Sequence, residues 1–574
     1  MCPGRAGLQA RVRGQIKKIV SAAGVIDPSG GNKTGYDWQR GPEGPLYPYS
    51  PSLKTGPSDF MHSPSTSSPD VPQSASLQGE AGVRGETSKL WASWLDGAIF
   101  FFLCLFAILL PHSIKGAQHS WQIACVLWLL KLAVERQRPF PQPLTAPLLA
   151  YVVCSAISTV LSPEPYISWV GMKFVCLVLV GILFAQNLQR LSQVRIIVFL
   201  LLLSGLAAAA FTAWQYSYGI GVQVKSILPQ TAVYRAGLRP DDIITRANGR
   251  SVHSPVQLEQ AVDETPPGSI LRLDFLRGSP FRRQTTFTTR EAFRSSGLGT
   301  RDLQLVRGKP VRAQGTLRHY GVFAETLMPI GCLAWAMLLS SQPQKPALRL
   351  LLAVIFLSLA MTIVATQTRR AVAGLAAGCF VALVLLAGRR ARLLATAALG
   401  LLLLAATFWI YHTRGLGWIA VHDPGTQYRL LMWEDGLRLI REHPWFGVGM
   451  GTISIHWPEW NMRAYALYHA QWHFHSDFVQ LAVERGLLTL AAWLWFLVAN
   501  FIFLRGLLNR VRSRSRFASG VVTGVLAGFV AFLLPSLVEY CLSNETLVML
   551  LFAFFGMAVA IDRMLGVSGA IDVP

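Results

Sequence analysis

Charged residues are scarce in this sequence. Asp, Glu, Lys and Arg together make up 14% of the 574 residues, whereas hydrophobic residues make up 52%. In soluble globular proteins about a quarter of the residues are charged. The composition of the whole chain is therefore not that of an ordinary soluble protein and indicates a protein that lies largely within a membrane.

Several common motifs are absent as well. The eight cysteines show no CxxC spacing, so the sequence predicts neither a disulfide framework nor a thiolate zinc site. No HExxH motif occurs, which excludes a zinc protease of that class. The chain does not open on a charged and apolar signal peptide with a cleavage site, so we expect the first apolar run to act as an uncleaved anchor.

What the sequence does contain is a series of apolar runs of about 20 residues, the length that an α-helix needs to cross a bilayer. We expect spans near 92–111, 117–134, 143–161, 167–185, 196–216, 322–340, 350–367, 371–388, 392–411, 486–505, 518–534 and 546–562. The second and eighth runs are short, which leaves eleven as the alternative count. The predicted fold is an all-α polytopic membrane protein with about 12 transmembrane helices.

Basic residues predict the orientation of these spans, because Lys and Arg are retained in cytoplasmic loops. They follow every second span, in clusters that include Arg136, Arg190, Lys345, Arg389 and the run 505–516. All these clusters lie on one side of the membrane if both termini are cytoplasmic. The net charge of +22 is therefore partly topological, and we expect no nucleic-acid partner.

Residues 1–91 differ from the rest of the chain. Pro, Gly, Ser and Thr dominate from Ser29 to Ser88, and no hydrophobic periodicity is present. Such a composition buries too little apolar surface to offset the entropy of the chain. We therefore predict a disordered cytoplasmic tail.

A second distinctive segment, 218–291, separates spans five and six, and its apolar pattern changes from helical to alternating. It contains the run AGLRPDDII at 236–244, then Asn248-Gly249 and a helical stretch at 256–262. This order of motifs resembles a bacterial PDZ domain, a small α+β fold. Closing strands are expected near 270–276 and 284–289.

The PDZ resemblance implies a peptide-binding function. In such domains a peptide adds a strand to the sheet beside a loop whose N–H groups hold its carboxylate. The positions that match this loop are Gly219, Ile220, Gly221 and Val222. A peptide or protein ligand is thus expected, and the alternative is a degenerate PDZ fold that serves only as a spacer.

The third distinctive segment is a long polar loop, 412–485, that is rich in His, Trp, Arg and Gly. It contains Tyr428-Arg429, the run HPWFGVGMG at 443–451, and His473-Phe474-His475-Ser476-Asp477 just before span ten. This pattern between membrane helices resembles the central loop of the O-antigen ligase and polysaccharide polymerase family. Members of that family are membrane glycosyltransferases that use polyprenyl-diphosphate-linked glycans.

The resemblance implies a set of site residues. The family places an Arg before its sixth span, an Arg in a Thr-Arg turn and a His late in the large loop, and the matching catalytic residues here are Arg312, Arg369 and His475. Neighbouring residues expected to bind substrate are Arg429, Arg318, Arg370 and His473. The alternative for Arg370 is a contact with lipid headgroups or a purely topological role.

The chemistry of these side chains fits such a reaction. Arg stays protonated and offers planar bidentate donors to a diphosphate leaving group. A His with an ordinary pKa of about 6.5 can remove the proton of an acceptor hydroxyl. Direct displacement by that hydroxyl would invert the anomeric centre.

Two alternative sites within the large loop are less favoured. His469, His473 and His475 could be metal ligands, but no Cys and no carboxylate at matching spacing completes the set, so neither a metal nor another cofactor is expected. The glycines at 447, 449 and 451 could form a phosphate loop, but no strand precedes them, so a tight turn is preferred.

These observations divide the chain into seven segments: a disordered cytoplasmic tail (1–91), membrane helices one to five (92–217), a periplasmic PDZ-like domain (218–291), a linker with helices six to nine (292–411), a large periplasmic catalytic loop (412–485), helices ten to twelve (486–562) and a cytoplasmic tail (563–574).

The predicted function is transfer of a polyprenyl-diphosphate-linked glycan to an acceptor hydroxyl at the periplasmic face of a bacterial inner membrane. The expected partners are the lipid-linked donor, an acceptor such as lipid A core, a polysaccharide or a protein, and membrane lipids. A ligase, a polymerase and a protein O-oligosaccharyltransferase would use the same kind of site, so the sequence does not distinguish among these three alternatives. The competing class is a PDZ-bearing membrane scaffold without catalysis, or a transporter.

Overall fold

The structure is a computed structural model. It describes residues 74–135, 139, 143–278, 282–297, 302–310, 312–317, 319–342, 344–386, 388, 390, 392–393, 397, 424–464 and 473–567. Most of the span expected at 392–411, the expected substrate-binding residue Arg318 and the metal candidate His469 lie outside these residues.

The first half of the membrane part consists of six helices in sequence. They are α1 (Ser74–Leu109), α2 (Ile114–Glu135), α3 (Thr145–Val160), α4 (Pro165–Val175), α5 (Val178–Asn187) and α6 (Leu191–Tyr218). α1 begins at Ser74, so residues 74–91 of the segment expected to be disordered are helical. Propagating a helix is easier than nucleating one, which lets the apolar part of α1 extend toward the N-terminus.

An inserted α+β domain follows α6. Its elements are β1 (Gly221–Ile227), α7 (Ala232–Arg235), β2 (Ile243–Ala247), β3 (Arg250–Ser251), α8 (Pro255–Asp263), β4 (Ile270–Arg277), β5 (Arg282–Thr289), α9 (Arg290–Arg294) and β6 (Leu303–Gly308). The antiparallel sheet has the strand order β5-β4-β2-β1-β6, with β3 paired to β2.

The remaining helices form the second half of the membrane part and the large loop. They are α10 (Tyr320–Ser340), α11 (Pro346–Ala365), α12 (Arg369–Leu386), α13 (Pro424–Glu442), α14 (Ile453–His456), α15 (Asp477–Val511), α16 (Arg516–Ser536), a 3₁₀ turn (Cys541–Ser543) and α17 (Glu545–Val567).

Within the described residues, eight helical segments are long and apolar enough to cross a membrane. They are Pro165–Asn187, Leu191–Tyr218, Tyr320–Ser340, Pro346–Ala365, Arg369–Leu386, Asp477–Val511, Arg516–Ser536 and Glu545–Gly566. Ser93–Leu109 and Thr145–Val160 are shorter apolar helices. The chain is thus a mostly helical, multi-pass membrane protein, and the expected count of twelve spans is not confirmed.

α10 and α16 lie at the centre of the bundle, where they pack against each other and against α12. Small residues bring these helices together: a side chain at Gly374 would meet the carbonyl of Ala531, and one at Gly378 would meet that of Ala527. Small residues at helix contacts are typical of membrane bundles, because they let the backbones approach closely.

The inserted domain is larger than the segment 218–291 that the sequence predicted. It has its own hydrophobic core, separate from that of the bundle, and this core includes Phe293 and Leu303. β6 is an edge strand of the sheet and pairs with β1, with Gly221 opposite Gly308. The domain therefore ends at β6, because the strand that completes its sheet follows the predicted boundary.

α15 is interrupted at Gly486, whose φ is 80°. The segment that contains Gly447, Gly449 and Gly451 covers this interruption: Val448 N donates to Val483 O (2.9 Å), Gly449 N to Glu484 O (2.8 Å) and Leu487 N to Pro444 O (2.7 Å). These bonds replace the intrahelical bonds lost at the break.

Candidate active site

The candidate site lies at one end of the helix bundle, where several helices begin or end. His319 caps the start of α10 by accepting a hydrogen bond from Val322 N. The turn 366–368 connects α11 to α12, and His475 precedes α15. Glu539 lies between α16 and α17. Residues that are far apart in the sequence are thus brought to one end of the bundle.

His475, His473 and Arg370 share one carboxylate, that of Glu539. His475 Nδ1 is 2.9 Å and His473 Nε2 is 3.2 Å from Glu539 Oε1. Arg370 Nη1 is 2.9 Å from the other oxygen, Oε2. One oxygen of Glu539 thus binds the two histidines and the other forms an ion pair with Arg370, and the carboxylate joins the large loop to the start of α12.

A second buried carboxylate, Glu325 on α10, completes the ion network. Arg370 Nε is 2.8 Å from Glu325 Oε1, and Asn544 Nδ2 donates to Glu325 Oε2 at 3.1 Å. The charge of Arg370 is thus balanced by two carboxylates, and Arg370 contributes mainly to the internal structure of the site.

The electrostatics of the site define the protonation of His475. Burial alone would raise the pKa of Glu539, but the hydrogen bonds of His473 and His475 and the charge of Arg370 outweigh it and hold this pKa far below its usual range. The ionised carboxylate can only accept, so His475 Nδ1 carries the proton.

The other ring nitrogen of His475 is then a hydrogen-bond acceptor. Burial lowers the pKa of His475, although its hydrogen bond to Glu539 opposes this effect. The ring is therefore neutral near pH 7, and its unprotonated Nε2 has no partner among the described residues. A neutral imidazole oriented by a carboxylate is the arrangement of a general base.

The backbone before His475 is held from two sides. Phe474 N donates to Gln480 Oε1 at 2.8 Å, and Trp433 Nε1 donates to Phe474 O at 2.9 Å. His475 itself has a φ of 47°, in the left-handed region that residues other than glycine adopt uncommonly. Strained backbone of this kind is concentrated at functional sites.

Arg312 and Arg369 lie at the same turn, which connects α11 to α12. Arg312 Nη2 donates to Gln367 O at 3.1 Å, and its guanidinium lies 4.1 Å from the centre of the Tyr320 ring. Arg369 is the first residue of α12 and is exposed. Its side chain has no hydrogen bond or ion pair with the described residues, so its charge is available to a ligand.

The other expected substrate-binding residues differ in their surroundings. Arg429 on α13 affects the pKa of His475 through its charge, and its buried Nε has no hydrogen-bond partner among the described residues. His473 is engaged with Glu539. Gln314, which the sequence reading did not select, is buried close to Arg312 in the chain, and its amide has no partner in the described part of the chain.

The glycine-rich segment 447–451 has a structural role. Its N–H groups bind the carbonyls at the break of α15, and Gly451 N donates to Glu484 Oε1 at 2.9 Å. At Gly449, with a φ of 92°, a side chain would overlap Ser162 and Ser168. The N–H groups of Val448, Gly449 and Gly451 are thus already used within the protein and are not directed at a phosphate.

Glu539 supplies the carboxylate that the sequence reading did not find for a metal site. One ligand atom each from His473, His475 and Glu539 lie within 4.8 Å of one another, a group that could hold a metal ion. As arranged here, both rings bind Glu539 directly, and the cation Arg370 lies on its second oxygen. A metal would have to replace two hydrogen bonds and lie close to a positive charge.

The inserted domain presents a different edge from the one expected. β1 is hydrogen-bonded on both sides, to β2 and to β6, and Ile220 N donates to Gly308 O at 2.8 Å. A side chain at Gly221 would overlap the carbonyl of Ile244. The structure therefore does not support strand addition at Gly219, Ile220, Gly221 and Val222; the outer edge of β6 is unpaired within the described sheet and lies beside α8.

Comparison with known proteins agrees with this architecture. Residues 352–494 match the family model of the O-antigen ligases. The resemblance to that family is confirmed. Residues 223–277 match a PDZ domain model, which confirms the inserted domain. The O-antigen ligase match covers α11 and α12 and extends through the large loop into α15, so it includes Arg369, Arg370, Arg429 and both site histidines.

A curated relative is the magnetosome formation protease MamE of Magnetospirillum gryphiswaldense. It is 33% identical over 104 residues, which is 18% of this chain. The match spans 13% of the length of that relative.

Glu539 and Glu325 are residues of the candidate site that the sequence analysis did not select. Glu539 could have been found from the sequence, because it lies in the short loop between the last two apolar runs. The predicted topology places that loop on the same side of the membrane as the large loop. Glu325 lies within an apolar run, where an acidic residue is costly unless it is paired.

Proposed function

We propose that this protein transfers a glycan from a polyprenyl diphosphate to an acceptor hydroxyl, with His475 as the general base. The observation that carries the proposal is the contact of His475 Nδ1 with Glu539, which directs the basic Nε2 away from that carboxylate. The match to the O-antigen ligases supports the same class of reaction.

In the proposed step, His475 Nε2 removes the proton of the acceptor hydroxyl as its oxygen attacks the anomeric carbon. The bond between this carbon and the phosphate oxygen breaks, and the polyprenyl diphosphate leaves with the bonding electrons. Because the acceptor displaces the leaving group directly, the anomeric configuration inverts. The negative charge of Glu539 stabilises the imidazolium that forms.

Arg312 and Arg369 are proposed to hold the diphosphate. Both side chains are at the α11–α12 turn, and Arg369 is the first residue of α12, so the positive end of this helix adds to the attraction. Charge that develops on the leaving group is stabilised by these cations. Arg429, with its unpaired buried Nε, is proposed to contact the donor or the acceptor.

The reaction is proposed to occur at the periplasmic face of a bacterial inner membrane, with both termini in the cytoplasm. The distribution of basic residues supports this orientation. The acceptor is proposed to be lipid A core, a polysaccharide or a protein hydroxyl, and the reaction to need no metal.

The test is a transfer assay with purified full-length protein in detergent. A synthetic polyprenyl-diphosphate glycan and each acceptor class are supplied in chelator-treated buffer, and the anomeric configuration of the product is determined by NMR. We expect an inverted product with wild-type protein and a strongly reduced yield with His475→Ala. Retention of configuration, or activity restored only by added metal, would overturn this mechanism, and a lack of transfer to every acceptor would favour a scaffold or a transporter.

The inserted PDZ domain is proposed to bind a peptide or protein at β6. β6 is one of the two outer strands of the described sheet, and it is the one that lies beside α8, so an added strand would extend the sheet in the groove next to that helix. Arg312 lies four residues after the end of β6 in the sequence. The proposed peptide-binding strand is therefore close in the chain to the proposed diphosphate site.

A further inference from the structure

A second site lies at the opposite end of the bundle from the candidate active site. There a cavity of about 910 Å³ is enclosed by the start of α6, the end of α10, the start of α11 and the turn between α15 and α16. α15 begins next to His475 and ends at this cavity, and the part of α15 that follows its interruption at Gly486, residues 487–511, corresponds to roughly 37 Å of helix. The cavity is therefore separate from the proposed glycan-transfer site.

The mouth of the cavity is strongly basic. Five basic residues line it, and no acidic residue is present among its described lining residues: Arg195, Lys345, Arg512, Arg514 and Arg516. Lys345 and Arg516 have no acidic partner in the described part of the chain. Arg512 and Arg514 donate to backbone carbonyls, of Leu385 and Leu565, which leaves their charges without a counter-ion.

Part of the cavity wall is apolar and exposed on the outside of the helix bundle. Phe199 and Leu348 line it and are 40% and 37% exposed. Arg195 lies 5.3 Å above the ring of Phe517, so an apolar surface and a cation adjoin at the same place. A soluble anion would contact only the basic side chains, whereas a lipid would contact both the basic side chains and the apolar wall.

We propose that this cavity binds an anionic phospholipid. Its phosphate would lie among the basic side chains, and an acyl chain would follow Phe199 and Leu348 into the bilayer. Basic pockets between membrane helices bind such headgroups, and the cavity volume is within the usual range for ligand sites, about 300–1,000 Å³. This site is independent of the proposed glycan transfer.

The proposal is tested by measuring lipid binding to the full-length protein. Protein purified in a neutral detergent is titrated with phosphatidylglycerol, cardiolipin, phosphatidylcholine or inorganic phosphate, and binding is followed by native mass spectrometry and by the unfolding temperature. We expect the anionic lipids to bind and to raise the unfolding temperature. Arg195→Gln combined with Arg516→Gln should weaken this binding on the order of tenfold or more.

A matched control is Arg349→Gln, which removes an exposed arginine at the same end of the bundle that does not line the cavity. It should bind anionic lipid like the wild type. Phe199→Ala should weaken lipid binding without changing the effect of inorganic phosphate. Equal binding of phosphatidylcholine, an equal loss in Arg349→Gln, saturation by phosphate alone, or no lipid binding by the wild type would each overturn the proposal.

Discussion

Glu539 holds His475 on one oxygen and Arg370 on the other, both at 2.9 Å, so a single carboxylate connects the proposed base to the ion network of the bundle. His475 and Glu539, which are 64 positions apart in the chain, thus form one unit. The variants below test whether this unit performs catalysis or only stabilises the fold.

His475→Ala should reduce transfer by a factor of about 10² to 10⁴, the usual contribution of a general base. Glu539→Gln should reduce it as well, because the amide cannot balance the charge that forms on the imidazole. The matched control is His443→Ala, which removes an exposed histidine of the same loop. Transfer rates of purified, correctly folded variants are compared, and a wild-type rate for His475→Ala would remove it as the base.

The pH dependence of transfer should reflect the lowered pKa of His475. A base acts when it is unprotonated, and burial keeps this ring neutral below the ordinary histidine value of about 6.5. The rate should therefore fall only at a pH below that value. In Glu539→Gln, which lacks the contact that opposes this lowering, the fall should move to still lower pH; a shift to higher pH would contradict this assignment.

The neighbours Arg369 and Arg370 should respond differently to the same substitution. Arg369 is exposed, so Arg369→Ala should lower transfer and leave the unfolding temperature unchanged, and Arg369→Lys should recover little, because Lys lacks bidentate donors. Arg370→Ala leaves Glu325 and Glu539 without their cation and should destabilise the protein by about 3–5 kcal/mol.

These two outcomes are separated by thermal unfolding in detergent together with transfer kinetics at varied donor concentration. A drop in the unfolding temperature for Arg369→Ala, or full stability of Arg370→Ala, would show that the two roles are reversed. Full activity of Arg369→Lys would argue against bidentate binding of the diphosphate.

Local patterns in the sequence predicted much of the fold. Apolar runs indicated helices, and alternating runs indicated the strands at 270–276 and 284–289, because both signals are contained within a few residues of chain. The family resemblance selected His475 and Arg369. The sequence could not reveal which of Arg369 and Arg370 is paired, since this depends on Glu325 and Glu539.

The errors have the same origin. Gly219–Val222 matched a peptide-binding loop by position, but β6 pairs with β1 from about 80 residues further along the chain, and no local pattern indicates such a pairing. The predicted end of the domain at 291 separated β6 from its sheet for the same reason. Contacts between residues far apart in the chain therefore explain why Glu325 and Glu539 were not selected. They also explain why the peptide was expected at β1, which is paired with β6.

Excision of the PDZ domain depends on this boundary. Deleting 220–308 with a short flexible linker removes the whole sheet, so the protein should insert and retain basal transfer. Deleting 218–291 leaves β6 without its partner β1 and removes most of the domain core, so this variant should accumulate poorly. Both deletions keep Arg312. Loss of transfer in correctly inserted protein that lacks 220–308 would place the domain within the active site.

The pairing of Gly221 with Gly308 has a consequence for engineering. Residues paired across antiparallel strands lie only about 5 Å apart, so the chain enters and leaves the inserted domain at nearly the same point. Domains whose termini are adjacent are the ones that tolerate transplantation. We therefore expect this position to accept a reporter domain, such as a fluorescent protein, in place of the PDZ domain.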